Sequence, residues 1–297
     1  MEKRIIPDSQ LVLKPDGSVY HLGLHPEQLA DTVLLVGDPN RVSKISCYFD
    51  SIEHQVSNRE LVTHTGYYKG MRVSALSTGM GTDNIDIVLN ELDALANIDL
   101  EKRCPKETHK TLKLIRLGTS GALQGDIAVG DSVVASRYAL GLDGLLHFYA
   151  GSDAYIDQQM TQAFVAHMHW SPLLPSPYVV EGSEKLLAQL SDGYYVGVTA
   201  TSPGFYGPQG RVLRLPLADP EMNPKIESFQ HKGLKITNFE MESSALYGLS
   251  KLLGHEALTL CVIIANRVTE QFAGDYQPYM DRLIVNTLDR LVLTQDK

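Results

Sequence analysis

Leu112-Lys113-Leu114-Ile115-Arg116-Leu117-Gly118-Thr119-Ser120-Gly121 is an apolar run that carries an arginine at its end and passes into a Gly/Thr/Ser turn. Leu112, Leu114, Ile115 and Leu117 read as a strand buried in a sheet. An arginine closing such a strand is poorly explained as a solvated face. A guanidinium beside hydroxyls and backbone amides is what a phosphate-sized anion requires. Two further strand-then-glycine junctions share this pattern. Thr32–Val36 runs into Val36-Gly37-Asp38-Pro39-Asn40-Arg41, and Met71–Ser77 runs into Ser77-Thr78-Gly79-Met80-Gly81-Thr82-Asp83-Asn84. Open α/β sheets place their ligands at such junctions, where glycine lets amides approach an anion and the next helix adds its dipole.

Each junction also has a plain structural reading. Gly-Asp-Pro is an ordinary tight turn with Arg41 on the surface, and Asp83 or Asn84 suits a helix N-cap. The second turn lacks the third glycine and the later acid of a dinucleotide site.

Outward from these junctions, β-rich runs alternate with helical patterns. Ser132–Ser136, Tyr195–Ala200 and Leu258–Ala265 read as strands, and the segment after Pro39, Met241–Leu253 and Tyr279–Leu293 as helices. Ile85, Val88, Leu89, Leu92 and Leu95 share one face of a further helix. The alternation predicts an α/β fold, a mostly parallel or mixed sheet with helices on both faces. No linker, repeat or low-complexity block divides residues 1–297, so a single domain is expected, with Trp170-Ser171-Pro172-Leu173-Leu174-Pro175-Ser176-Pro177 as a surface loop.

Composition narrows the function class. The chain has 297 residues, 43% hydrophobic and 21% charged, with a formal net charge of −9. That balance disfavours a nucleic-acid surface, although a few placed arginines suffice for one small anion. Lys3 and Arg4 are not followed by an apolar run, and no stretch reaches the roughly 18–20 apolar residues of a membrane span. Cys47, Cys104 and Cys261 are odd in number and far apart, which fits neither disulfides nor zinc. Cys261, inside Ala257–Ala265, reads as a core thiol. The expectation is a cytoplasmic protein without membrane or nucleic-acid partners. The histidines show no metal-ligand spacing, and no P-loop, HExxH, GxSxG or paired CxxC occurs. An anion site without a metal is what remains.

Asn238-Phe239-Glu240-Met241-Glu242-Ser243 places two carboxylates at a strand-to-helix junction. A carboxylate there can accept from a sugar diol while methionine packs on the sugar. Acids favoured by a helix N-terminus explain the pattern equally well.

Taken together, these segments resemble the nucleoside phosphorylase superfamily, and within it the uridine phosphorylases, from His21 to the last helix. The resemblance implies a mixed, partly barrel-like sheet flanked by helices, with residues 1–20 as an N-terminal extension. It implies that Gly37, Arg41, Arg116 and Thr119 hold phosphate, with Arg59, in Ser57-Asn58-Arg59-Glu60, lent across a dimer interface. His21, Thr119, Met241 and Glu242 would hold ribose, His21 from a neighbouring subunit. The segment Gly204-Phe205-Tyr206-Gly207-Pro208-Gln209-Gly210-Arg211 resembles the FYxxQxR base loop. Gln209 and Arg211 would bind the uracil carbonyls and imide, with Phe205 against the ring and Arg267 nearby. Purine-cleaving relatives place an aspartate where Asn266-Arg267 stands, which favours a pyrimidine.

Arg116, Glu242 and Arg211 are thereby the expected catalytic residues. The implied reaction is phosphorolysis of uridine by a homo-oligomer built from dimers, a pentosyltransferase of pyrimidine salvage. Inorganic phosphate is a co-substrate and no cofactor is expected. Purine or broad-specificity phosphorolysis, a hydrolytic nucleosidase and a non-catalytic nucleoside binder are the alternatives. Asn84 stands where bacterial relatives carry a serine that, with Glu60, holds a monovalent cation, so a cation near Glu60 is left open. The first twenty residues and the stretch around Ala154–Pro177 also depart from the family pattern.

Overall fold

The computed structural model describes residues 5–293. In chain order it contains β1 (Thr32–Val36), α1 (Pro39–Ser46), β2 (Ser51–Asn58), β3 (Leu61–Tyr68), β4 (Met71–Ser77), α2 (Thr82–Asn97), β5 (Ile98–Asp99) and β6 (Cys104–Pro105). These are followed by β7 (Lys113–Ala122), β8 (Val133–Gly141), α3 (Gln158–Met168), β9 (Tyr178–Glu181), α4 (Glu184–Leu190) and β10 (Tyr195–Thr201). The chain then forms α5 (Met222–Ser228), β11 (Gln230–His231), β12 (Leu234–Glu240), α6 (Ser243–Leu253), β13 (Glu256–Asn266), β14 (Gln271–Phe272) and α7 (Gln277–Val292).

β1 explains the layering. All five of its residues are buried, as a parallel strand covered on both faces must be. Val33 and Leu35 join the core under α2 and α6, with Leu89, Leu92, Leu246 and Leu249. Leu34 and Val36 point the other way, into the core under α1, α4 and α7, with Val42, Leu186 and Leu283. The period of two along the strand thus feeds two separate cores. A third core gathers α3 and α5 around Phe164, Phe229 and Phe239.

Strands β7, β13, β8, β10 and β12 pair in that order, and β12 returns antiparallel to β7 through Asn238–Ala122 and Phe239–Gly121. The ring closes into a five-stranded barrel, from which β1, β4, β3 and β2 extend off β7. The partly barrel-like sheet flanked by helices is therefore present.

Three local expectations are corrected. Arg116 does not close its strand, because β7 runs on to Ala122, carried by pairing of Gly118–Ala122 with β13 and of Gly121 and Ala122 with β12. Helix α2 is capped neither by Asp83 nor by Asn84: Gly81, at φ 99°, occupies the N-cap and Asp83 falls in the first turn. Helix α6 begins at Ser243 rather than Met241. The hairpin β2–β3 carries no expectation from the sequence. Alternation along Leu61–Tyr68, buried at every second position over its first five residues, would have signalled β3.

The segment before β1 packs onto the domain. Leu11 and Val19 are buried, and Arg103 Nε donates to the Ile6 carbonyl at 3.0 Å. Among the described residues no helix is long and apolar enough to cross a membrane.

Leu89 is fully buried between α2 and the sheet. Leu89→Ala should cost about 2–5 kcal/mol of folding stability, read as a lower urea midpoint at unchanged slope.

Candidate active site

The ends of β1, β4, β7, β12 and β13 converge on a cavity of about 1010 Å³. Gly37, Arg41, Arg116 and Thr119 line one part, Met241 and Glu242 another, and Phe205, Gln209, Arg211 and Arg267 a third. Segments far apart in sequence, including all the expected groups except His21 and Arg59, thus meet in one space.

Arg116 lines the cavity and is itself buried. Arg116, Gly118 and Ser120 share one face of β7, and the guanidinium folds back over Gly118. A Cβ on Gly118 would lie 1.9 Å from Arg116 Nη1 and 3.0 Å from Cys261 Sγ. Glycine is therefore what leaves room for the arginine. Cys261 is buried, as the sequence suggests, but it also lies 3.8 Å from Arg116 Nη1. Burial pushes its thiol up to about 12, so it stays neutral beneath the guanidinium.

The two carboxylates of the Glu-Met-Glu segment have separate roles. Glu240 accepts from the amides of Glu242 at 3.0 Å and of Ser243 at 2.9 Å, and from the Thr201 hydroxyl at 2.6 Å. It caps α6. Glu242 faces the cavity, accepting from the Gly81 amide at 2.9 Å and pairing directly with Arg116 Nη2. Arg116 Nε lies 3.8 Å from Glu240 Oε2. The helix-end and ligand readings of this segment thus fall on different carboxylates.

Electrostatics follow from burial. Burial alone would lower the Arg116 pKa, but Glu242 and Glu240 outweigh it and raise it above the ordinary arginine value. Burial, with the Glu240 charge adding to it, raises the Glu242 pKa although Arg116 opposes the rise. One guanidinium is shared by two carboxylates. Arg41 is buried too, and burial lowers its pKa. Its Nη1 donates to the Leu117 carbonyl at 3.2 Å, which aims it along β7.

Arg211 Nη1 donates at 2.5 Å both to Gln209 Oε1 and to the Phe205 carbonyl. Its guanidinium carbon lies 3.7 Å above the Phe205 ring, a cation–π contact. Burial, helped by the nearby Arg267 charge, pushes the Arg211 pKa down to about 10. Phe205 is half exposed at the rim, whereas Gln209 is buried. Asn266 is fully engaged with backbone: Nδ2 donates to the Gln124 and Ile127 carbonyls at 2.9 Å each, and Oδ1 accepts from Val268 and Thr269.

A sequence-family model described as "Phosphorylase superfamily" matches residues 31–289. The chain belongs to the phosphorylase superfamily. A uridine phosphorylase of Thermococcus kodakarensis is 33% identical over 265 residues, covering 86% of this chain and 80% of that protein. A DeoD-type purine nucleoside phosphorylase of Oceanobacillus iheyensis is 28% identical, covering 92% of this chain and 98% of that protein. A solved Trypanosoma brucei nucleoside phosphorylase, described as showing uridine phosphorylase activity, superposes with a TM-score of 0.86 at 32% identity, covering 96% of this chain and 100% of that one.

Two expected residues stand apart from the cavity of their own chain in this superfamily member. His21 Nδ1 lies 2.7 Å from Glu91 Oε1, and its amide also binds that carboxylate. Arg59, at φ 56° in the β2–β3 turn, is exposed and lies 5.6 Å from the Tyr20 ring centre. Glu60 and Asn84 line the cavity, where Asn84 Nδ2 donates to the Met80 carbonyl at 3.1 Å. The lining adds Met80 and Phe239, which lie in the quoted junctions without an assigned role, and Ile264 and the segment Glu270–Phe272 carried by β14, to which no sequence signal pointed. The pairing of β14 with β13 carries that segment to the rim.

Gly118→Ala should leave the fold intact and push the Arg116 guanidinium out of place. A displacement of about 1 Å at such a group costs on the order of 100-fold in kcat/KM. Steady-state kinetics beside an unchanged circular dichroism spectrum check this.

Proposed function

We propose that this protein is a uridine phosphorylase, a pentosyltransferase that splits uridine with inorganic phosphate into uracil and ribose 1-phosphate. The observation that carries this reading is one cavity lined together by Arg41 and Arg116, by the Glu242 carboxylate, and by the Gln209–Arg211 amide–guanidinium pair beside Phe205. The similarity to uridine phosphorylases over most of the chain supports it.

In this mechanism Arg41 and Arg116, with the amide at Gly37 and the Thr119 hydroxyl, hold the phosphate dianion beneath the sugar. Met241 packs on the ribose and Glu242 accepts from its hydroxyls. A phosphate oxygen bonds to C1′ as the C1′–N1 bond breaks, and the bonding pair leaves with the base. Gln209 and Arg211 donate to the uracil oxygens, where that charge accumulates, and the base anion takes a proton from water. Donors fixed in place before the reaction stabilise this charge at no cost of reorganisation. Phosphate and nucleoside are the partners, and the reaction as drawn uses no metal. His21 and Arg59 complete the site when a second copy of the chain supplies them, which makes a homodimer the smallest active unit.

Specificity for a pyrimidine rests on Asn266. Its amide is spent on four backbone groups, so it is not available to the imidazole side of a purine. Purine phosphorolysis, the activity named for the DeoD-type relatives, is the second reading.

The deciding assay is release of uracil from uridine with phosphate present and then withdrawn. Phosphate-dependent release with ribose 1-phosphate as co-product supports the proposal. Release without phosphate makes the protein a nucleosidase, and release from inosine alone makes it a purine enzyme. Arg211→Ala should lower kcat/KM for uridine by at least about 100-fold, and near-normal activity overturns the base site. Arg116→Ala should chiefly raise the KM for phosphate. Asn266→Asp sets a carboxylate against two carbonyls and should lose about 1–3 kcal/mol of stability, without gaining purine activity. Thermal unfolding and an inosine assay read the two halves of that expectation.

A further inference from the structure

The group expected to bind phosphate and the group expected to bind ribose are each other's partner. Arg116 Nη2 is paired with Glu242, whose other oxygen takes the Gly81 amide. In this state one Nη2 hydrogen of Arg116 is committed to Glu242, and a dianion arriving at Arg116 meets the buried carboxylate beside it. A diol arriving at Glu242 finds its Oε2 already held by a guanidinium. The buried Nε of Arg116 has no hydrogen-bond partner and lies 3.8 Å from Glu240 Oε2.

We propose that the two subsites are coupled by exchange of partners at Arg116. Hydroxyls donated to Glu242 release the guanidinium to the anion, an anion on Arg116 releases Glu242 to the hydroxyls, and each ligand strengthens binding of the other. The inference rests on the uridine phosphorylase reading for the identity of the nucleoside, but the Arg116–Glu242 competition stands without it. Glu240, held by α6 and the Thr201 hydroxyl, stays beside Arg116 Nε throughout the exchange.

The test is calorimetric titration with sulfate, an unreactive dianion, and with uridine. In the wild type, saturating uridine should tighten sulfate binding by about 10-fold, and sulfate should tighten uridine binding by the same factor, because coupling between two binding sites is reciprocal. Glu242→Gln removes the competing carboxylate. With no nucleoside present it should bind sulfate about 10-fold tighter than the wild type does, and uridine should then add little. A coupling factor of one in the wild type overturns the proposal. So does a folded Glu242→Gln protein that binds sulfate no tighter. If that variant fails to fold, the wild-type factor decides alone. A wild type that neither binds uridine nor releases uracil refutes the uridine phosphorylase reading instead, and the sulfate titration of Glu242→Gln still decides the exchange.

Discussion

The site is organised around one buried cation, Arg116, set between two carboxylates at the mouth of a closed barrel. A guanidinium in such a place is tolerable only when anions surround it. The chain supplies them from the β12–α6 junction, which the barrel closure carries next to β7. The antiparallel pairing of Asn238 and Phe239 with Ala122 and Gly121 therefore does more than close the barrel, because it brings Glu240 and Glu242 to Arg116. The hydrogen bond from Asn238 Nδ2 to Ser120 Oγ at 2.9 Å fastens the same seam from inside. Gly118 completes the arrangement by leaving the volume that the side chain of Arg116 fills.

Much of the framework was legible in the sequence, for a definite reason. β1, β4, β7 and β13 are buried on both faces, so their apolar runs are continuous and stand out. Helix α2 shows its apolar stripe because only one face meets the core. The glycine after β1 and β4 marks the ligand end of each strand. What was missed depends on long-range pairing. The sequence around Arg116 reads as strand then turn, and only the partners β13 and β12 extend β7 through Gly118–Ala122. The edge strand β2 is mostly exposed and carries no apolar pattern. Gly81, rather than an Asp or Asn, starts α2, because the chain turns there at a positive φ that favours glycine.

The cavity residues divide along the same line. Arg41, Arg116 and Glu242 were marked by charge at strand ends and turns, and Gln209, Arg211 and Arg267 by the family resemblance, and all of them line the cavity. Met80, Phe239, Ile264 and Phe272 are apolar residues in apolar or turn surroundings, indistinguishable from core or surface until the chain is folded. Spacing alone could not tell Glu240 from Glu242, and only the family resemblance singled out Glu242. Their separation into a helix cap and a cavity carboxylate is decided by a strand end that turns one side chain toward the α6 amides and the next but one toward Arg116.

The central claim is that one cavity, strung along Arg116, holds an anion, a sugar and a base in series. A crystal structure of the protein with uridine and sulfate tests it most directly. The account predicts sulfate on Arg41 and Arg116, ribose hydroxyls on Glu242, the uracil oxygens on Gln209 and Arg211, and Arg116 Nη2 turned from Glu242 toward the anion. Nucleoside density outside this cavity, or sulfate bound away from Arg116, would contradict it.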